Sequence, residues 1–534
     1  VRKRHLLPIV VLLLAVVFPC VASGHAERAT YFPDYTLGAV PKYRTTGPAR
    51  IVCKPDSAQR IRKIFPAGTK RTTRLHQLKS CRYRDIQAAV DAANSGDRIL
   101  IMPGVYLELP SRKIPVADPK CAGDQFWEAS GDNHTADGRV PTFAHQAVCP
   151  NSRSLIAIIG DSLSDPDRTC DHKCNLEMHG MGRQPKDVKI VGDRFKVDVI
   201  RADRADGFQL RNVWVEQAWY NDVNVVETNG FRLTHIVAPY AQHYGILSFA
   251  SDNGLYSDIE AYGNGDSGVY PGSGPEGHCK RYGIEIRNVD SHDNVIGQSG
   301  TAGNGTWIHD SKFHDNAAGI SSDSFAPGHP GMPQDCSKWE NNQIYSNNFN
   351  MFGDANLQYC NATPFDKRPK THVCPQFLAV VGTGFMLYGV NDNLIRGNHV
   401  YDNWRSGMRL FWVPSTLRGD NNPGEQNDTS NGNHTIQNSF GAGPGGKSMP
   451  NGTDVYWDEQ GKGNCWNANT TAPGKSLTSD PLVLPDCAGL DTSVLPVSRP
   501  DKTAADALCA TWSPRDNSAP PGCAWFTTPP KPQG

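Results

Sequence analysis

Residues 291–294 read SHDN, and 22 residues later residues 313–316 read FHDN. Two imidazoles and two carboxylates at a fixed interval suit metal binding or proton transfer. They suit equally a coil that passes one corner twice. The flanking sequence separates the two readings. IRNVDSHDN (286–294) aligns with IHDSKFHDN (308–316), WENNQIYSN (339–347) and IRGNHVYDN (395–403). YSDIEAYGN (256–264) fits the same frame one turn earlier, and GFQLRNVWV (207–215) and GFRLTHIVA (230–238) share an opening 23 residues apart. Apolar residues alternate within each unit, which is the strand period. Units of 22–31 residues, with one Asn per turn and a Gly opening the next strand, describe a solenoid of parallel strands.

Neighbouring coils of such a solenoid lie about 4.8 Å apart, so equivalent residues form rows along the axis. Asn264, Asn294, Asn316, Asn347 and Asn403 then occupy one corner, where side-chain amides bond along the row. His292 and His314 share their row with Tyr262, Tyr345 and Tyr401. A position that takes Tyr as readily as His predicts ring stacking rather than metal ligation or catalysis.

The first 26 residues have a basic start (Arg2, Lys3, Arg4), an apolar run from Leu6 to Phe18 and small residues before Ala26. This reads as a secretory signal peptide (1–26), with lipid attachment at Cys20 as the competing reading. The run is short of the roughly 20 residues a membrane span needs, and no later stretch supplies one. The protein is expected to be secreted. Of 15 cysteines, 14 lie beyond Cys20, an even number that favours pairing in an oxidising compartment. Sequential pairing gives Cys53–Cys81, Cys121–Cys149, Cys170–Cys174, Cys279–Cys336, Cys360–Cys374, Cys465–Cys487 and Cys509–Cys523, although sequence does not prove connectivity. CDHKC (170–174) is alternatively half a zinc site, for which no second half lies nearby.

A net charge of −1 with 20% charged residues argues against a general nucleic-acid binder. The segment Lys42–Arg84 is an exception, with thirteen Lys/Arg against Asp56, and reads as a solvated basic face or a patch for an acidic polymer. Fifty-one glycines and 9% aromatics suit turn-rich β-structure.

YRDIQAAVDAANSGDRILIMPGVYLE (83–108) resembles the opening of right-handed parallel β-helix proteins of the pectin lyase-like superfamily. The resemblance implies an amphipathic helix plugging the coil through Ile86, Ala89, Val90 and Ala93, followed by a strand with Ile99, Ile101, Val105 and Tyr106. The expected architecture is an all-β, right-handed parallel β-helix with an N-terminal capping helix and a disulfide-pinned C-terminal cap. Its divisions are a basic segment (27–82), the helix proper (83–440) with a Cys-rich insertion at about 110–185, and a cap ending in a loose tail (441–534). Fold does not fix function.

Enzymes on this fold work in a groove along one strand row, walled by loops. Alternation in GILSF (245–249), GVYPG (268–272), GISSDSF (319–325) and GMRLFW (407–412) points Leu247, Tyr270, Ser321 and Arg409 outward, with Asp323 two places beyond Ser321. Two of these strands feed the loops PGSGPEGHCKRY (271–282) and APGHPGMPQDCSKW (326–339), each with a Gly-His step and a cysteine. Tyr270, Asp323 and Asp266 are therefore the candidate catalytic residues. Glu276, His278, Lys280, Arg281, His329 and Arg409 are the candidates for substrate binding. Glycoside hydrolysis needs a carboxylate pair such as Asp266 and Asp323. Lysis of a polyuronate needs a base and positive charge, which Tyr270, Lys280 and Arg409 offer. No metal ligand set is assigned; calcium on an Asp cluster is the one cofactor kept open. The motif sets of polygalacturonases, mannuronan epimerases and pectate lyases are absent. The expectation is an exported protein acting on a polysaccharide by lyase or hydrolase chemistry, with a non-catalytic carbohydrate-binding solenoid as the alternative. Oligomeric state is not legible.

Overall fold

The computed structural model describes residues 30–114, 119–124, 142–161, 170–325, 329–364, 367–413, 430–490, 499–510, 512 and 521–533. The signal-peptide reading of residues 1–26 lies outside them. Alternating apolar residues make parallel strands that stack into a 20-stranded and an 11-stranded sheet, the walls of a right-handed parallel β-helix. In the 11-stranded sheet Ile200, Val223, Ile246 and Val269 sit in register on four successive strands, all buried in the coil. Their neighbours in sequence point away from that core.

The corner asparagines form the expected ladder and are fully buried. Each side-chain oxygen accepts both the backbone N–H and the side-chain N–H of the preceding coil's asparagine. The distances are 2.9 and 2.9 Å from Asn264 to Asn294, 2.9 and 3.1 Å from Asn294 to Asn316, and 3.2 and 3.0 Å from Asn316 to Asn347. The row continues through Asn403 to Asn451. Two further ladders, Asn342–Asn398–Asn438–Asn469 and Asn393–Asn433–Asn464, escaped the sequence reading. The strand-opening glycine has a steric cause at Gly268, where a Cβ would come within 2.1 Å of Ser291 Oγ and 3.0 Å of Asn294 Nδ2.

The capping helix is Ile86–Asp91, with Ile86, Ala89, Val90 and Ala93 buried as expected, whereas Val105 is exposed. Both its ends are closed by distant side chains. The N–H groups of Ile86 and Gln87 donate to the two carboxylate oxygens of buried Glu108 at 2.9 Å each. At the other end Lys173 Nζ donates to the carbonyls of Val90, Asp91 and Ala93 at 2.8, 3.1 and 3.2 Å. Together these two groups satisfy backbone atoms that a short helix leaves open.

Several expected boundaries shift. The coil begins before residue 83, because Ala49–Val52 pairs in parallel with Arg98–Ile101. Within that basic segment Arg50 and Lys54 face Asp97 and Asp85 at 2.8 and 3.3 Å, so part of the positive charge is neutralised locally. The Cys-rich insertion contributes Ser154–Ile159 and Glu177–Gly180 to the two sheets. The coil also runs beyond residue 440, through Val455–Trp457, Cys465–Asn467 and Ser479–Asp480. The tail is not loose where described: Trp525 and Phe526 are buried against Phe411, Phe352 and Trp512. An apolar tail finds its place on the sheet's outer face. All seven sequential disulfides are present. Cys170 and Cys174 therefore pair with each other rather than holding half a zinc site. Among the described residues no helix is long and apolar enough to cross a membrane.

Candidate functional site

The opening motif is structural. Tyr262, His292, His314, Tyr345 and Tyr401 stack at centroid spacings of 5.1, 5.3, 4.7 and 5.0 Å, with interplanar angles no larger than 14°. Each Asp of the His-Asp pairs clips the imidazole before it, Asp293 to His292 and Asp315 to His314, both at 2.7 Å. His314 Nε2 also meets Asp290 Oδ1 at 2.8 Å, so both its ring nitrogens are occupied. Burial opposes the charge on His314, but the hydrogen bonds to Asp290 and Asp315 outweigh it and hold the imidazole up at about 9.

Tyr270, Asp323 and Asp266 do lie on the outer side of the 11-stranded sheet, yet they do not line an open groove. Their exposures are 3%, 2% and 2%. Thr301 joins two of them: its N–H donates to Tyr270 OH at 3.0 Å, and its hydroxyl donates to Asp323 Oδ1 at 2.7 Å. Ser267 donates to Asp266 Oδ1 at 2.8 Å. Burial raises the Asp266 carboxyl to about 7 and that of Asp323 to about 6. Arg409 is 9% exposed, donates to Asp506 at 2.6 Å and lies 3.9 Å over the Tyr456 ring. The cause of this burial is the cover. Tyr270 packs with Val197, Trp219, Tyr220 and Tyr244. Further along, Leu378–Val381 and the C-terminal Trp512, Trp525 and Phe526 pack over Met386, Tyr388 and Phe411.

The long loops fare differently. The Cys279–Cys336 bridge ties them with Cα atoms 4.7 Å apart, and they wall an open groove of about 1110 Å³. Of the residues expected to bind substrate, Glu276 lines it, with His278 Nδ1 2.8 Å from Glu276 Oε1. Lys280 is exposed. Arg281 is instead committed to a bidentate pair with Asp252, at 2.7 and 2.5 Å. His329 is buried beside the Phe249 ring and is not a groove residue.

The groove brings in residues not anticipated: Asp335, Asp392, His434, Lys462, Tyr282 and Phe32. Asp335 sits on a short strand, Gln334–Asp335, paired with Val390–Asn391, and its N–H donates to Asn304 Oδ1 at 2.8 Å. Asp335 Oδ1 is enclosed and has no hydrogen-bond partner among the described residues. Burial, then the carboxylates of Glu276 and Asp392, push its carboxyl up to about 7, with His278 opposing. Asp392 is raised as well, by burial. A carboxylic acid that keeps its proton near neutrality beside further carboxyl groups is equipped for general acid–base work. The signal for Asp335 was present in QDC (334–336), next to the loop cysteine. For Phe32, more than 200 residues from the loops, there was none.

No protein-family model matches the sequence, and no curated protein matches it. Among solved structures, the chain is similar to the Azotobacter vinelandii mannuronan C-5 epimerase AlgE4 A-module, at 12% identity over 74% of this chain and 92% of that one, with a TM-score of 0.39. It is similar to the periplasmic alginate epimerase AlgG at 10% identity, over 56% of this chain and 60% of that one, with a TM-score of 0.38. Pectate lyase Pel9A aligns at 13% identity over 93% and 90% of the two chains, with a TM-score of 0.33. At such identities the likeness concerns the fold and nothing finer.

Proposed function

We propose that this exported protein acts on a polysaccharide held in the open groove, by glycoside hydrolase chemistry in which Asp335 is the acid. The observation that carries this reading is Asp335 itself, enclosed in a groove of about 1110 Å³ with its carboxyl raised to about 7. Protonated Asp335 would donate to the glycosidic oxygen while Glu276 or Asp392 serves as base or nucleophile. Phe32 and Tyr282 offer apolar faces to sugar rings. Seven disulfides support export to an oxidising compartment. Lyase chemistry is less well served, because Tyr270 and Arg409 are buried and Arg409 is paired with Asp506; the carboxylate pair first expected for hydrolysis, Asp266 and Asp323, is buried as well.

That same burial favours a second reading, a carbohydrate-binding solenoid without catalysis. Calcium would have to draw Glu276, Asp335 and Asp392 together. Among the described residues the one group of three whose candidate ligand atoms all lie within 4.8 Å of one another is Cys360, His372 and Cys374, and those two cysteines form a disulfide.

Incubation with a polysaccharide panel, with and without a chelator, decides between the readings. New reducing ends mark hydrolysis, and ultraviolet-absorbing unsaturated products mark lysis. Asp335→Asn should lower turnover at least about a hundredfold, the scale of a lost acid, while leaving binding intact. Binding without products on every polymer would favour the solenoid reading.

A further inference from the structure

We infer that the polymer received by this groove is a neutral polysaccharide and not a polyuronate. The inference rests on the groove reading above and narrows its substrate. A polyuronate brings one carboxylate per sugar, and a site for it needs cations free to meet them. This groove is lined by three acidic side chains, Glu276, Asp392 and Asp335, the last of which holds its proton up to about pH 7. Among the described residues that line it, Lys462 is the lone lysine or arginine, and it is exposed. Of the cations nearest in sequence to the groove's walls, Lys280 is exposed and does not line the groove, and three others have partners already. Lys338 lies 2.5 Å from Glu340, and Arg396 binds the other oxygen of the same carboxylate. Arg281 is held by Asp252.

What remains of the lining suits hydroxyl groups. Asn391 and Asn431 contribute amides, which donate and accept, whereas the amide of Asn304 is taken up by the Gly331 carbonyl and the Asp335 N–H. Asn391 Oδ1 is fixed by the backbone and side-chain N–H groups of Asn431 at 2.9 and 3.1 Å, so the amide row holds its direction along the groove. Ring faces of Phe32 and Tyr282 take the apolar side of a sugar. Like charges facing one another across an interface disfavour the wrong partner, and specificity is gained by such repulsion as well as by attraction.

The full-length protein is titrated calorimetrically with neutral polymers (β-glucan, mannan, xylan) and with polyuronates (polygalacturonate, alginate), at low and high salt. A neutral polymer should bind with an affinity that salt leaves unchanged. Polyuronates should bind at least about tenfold more weakly, and the gap should narrow at high salt and in Glu276→Gln/Asp392→Asn. Polyuronate binding as tight as the best neutral polymer overturns the substrate class while leaving the groove in place. Tyr282→Ala tests the location separately. It should weaken neutral-polymer binding with circular dichroism unchanged; unchanged affinity, or no binding of either set by folded wild-type protein, overturns the groove itself.

Discussion

A ladder asparagine answers to two coils at once. Asn294 Oδ1 accepts from the backbone and side-chain N–H groups of Asn264, while its own amide reaches Asn316, Ser291 and the Ala261 carbonyl. Asn294→Ala removes the acceptor for two buried donors, so stability should fall by about 1–3 kcal/mol in urea unfolding. Polymer binding well below the unfolding transition should be unchanged, since the residue is not part of the groove lining. Lost binding with an unaltered unfolding midpoint would contradict the ladder role. The ladder and the His–Tyr stack were legible because a solenoid prints each row several times over, and one row explains another. Asp323 and Asp335 were not so easily told apart. Both are aspartates at strand ends after a Ser- or Gly-rich stretch, and only the cover above each decides which one meets solvent.

The two long loops gain their fixed spacing from Cys279–Cys336, which closes a stretch of 57 residues. Cys279→Ser/Cys336→Ser should cost about 2–4 kcal/mol through the freedom returned to the unfolded chain. It should also weaken polymer binding, because Glu276 and Asp335 stand on opposite sides of the bridge in sequence. Retained affinity would mean that the loops hold their spacing without it. Peptide mapping without reduction should show this pair linked. Sequential pairing was readable at this scale because successive coils lie side by side, so cysteines near in sequence are near in space. The coverings were not readable. Leu378–Val381 and Trp525 belong to segments that cross back over coils formed far earlier in the chain, and no local period announces where they land.

Across the whole molecule, buried acids set the response to pH. Burial raises Glu108, Asp266 and Asp458 to about 7 and Asp323 to about 6. A carboxyl whose folded pKa exceeds its unfolded one binds more protons when folded, so its stabilisation is lost as pH rises through the folded value. His314, held at about 9, acts with the same sign between its unfolded value and that point. His179, pushed down to about 3 by burial and neighbouring arginines, opposes them below its unfolded value. Lys196, lowered to about 8 by burial, opposes them above that point. The melting temperature should therefore decline from about pH 5 to about pH 8, and Asp266→Asn should flatten the slope. A melting temperature that rises over this interval would contradict the assignment. The capping helix carries a consequence of another kind. Its N-terminal partner, Glu108, follows Ile86 by 22 residues, and its C-terminal partner, Lys173, follows Val90 by 83. In a chain delivered from its N-terminus, by a ribosome or through a membrane pore, the plug is made before either latch exists. The first coil thus stays unsealed until residue 173 has emerged. By then the strands that stack on it are arriving, and closure of the end becomes a late event in assembly rather than its starting point.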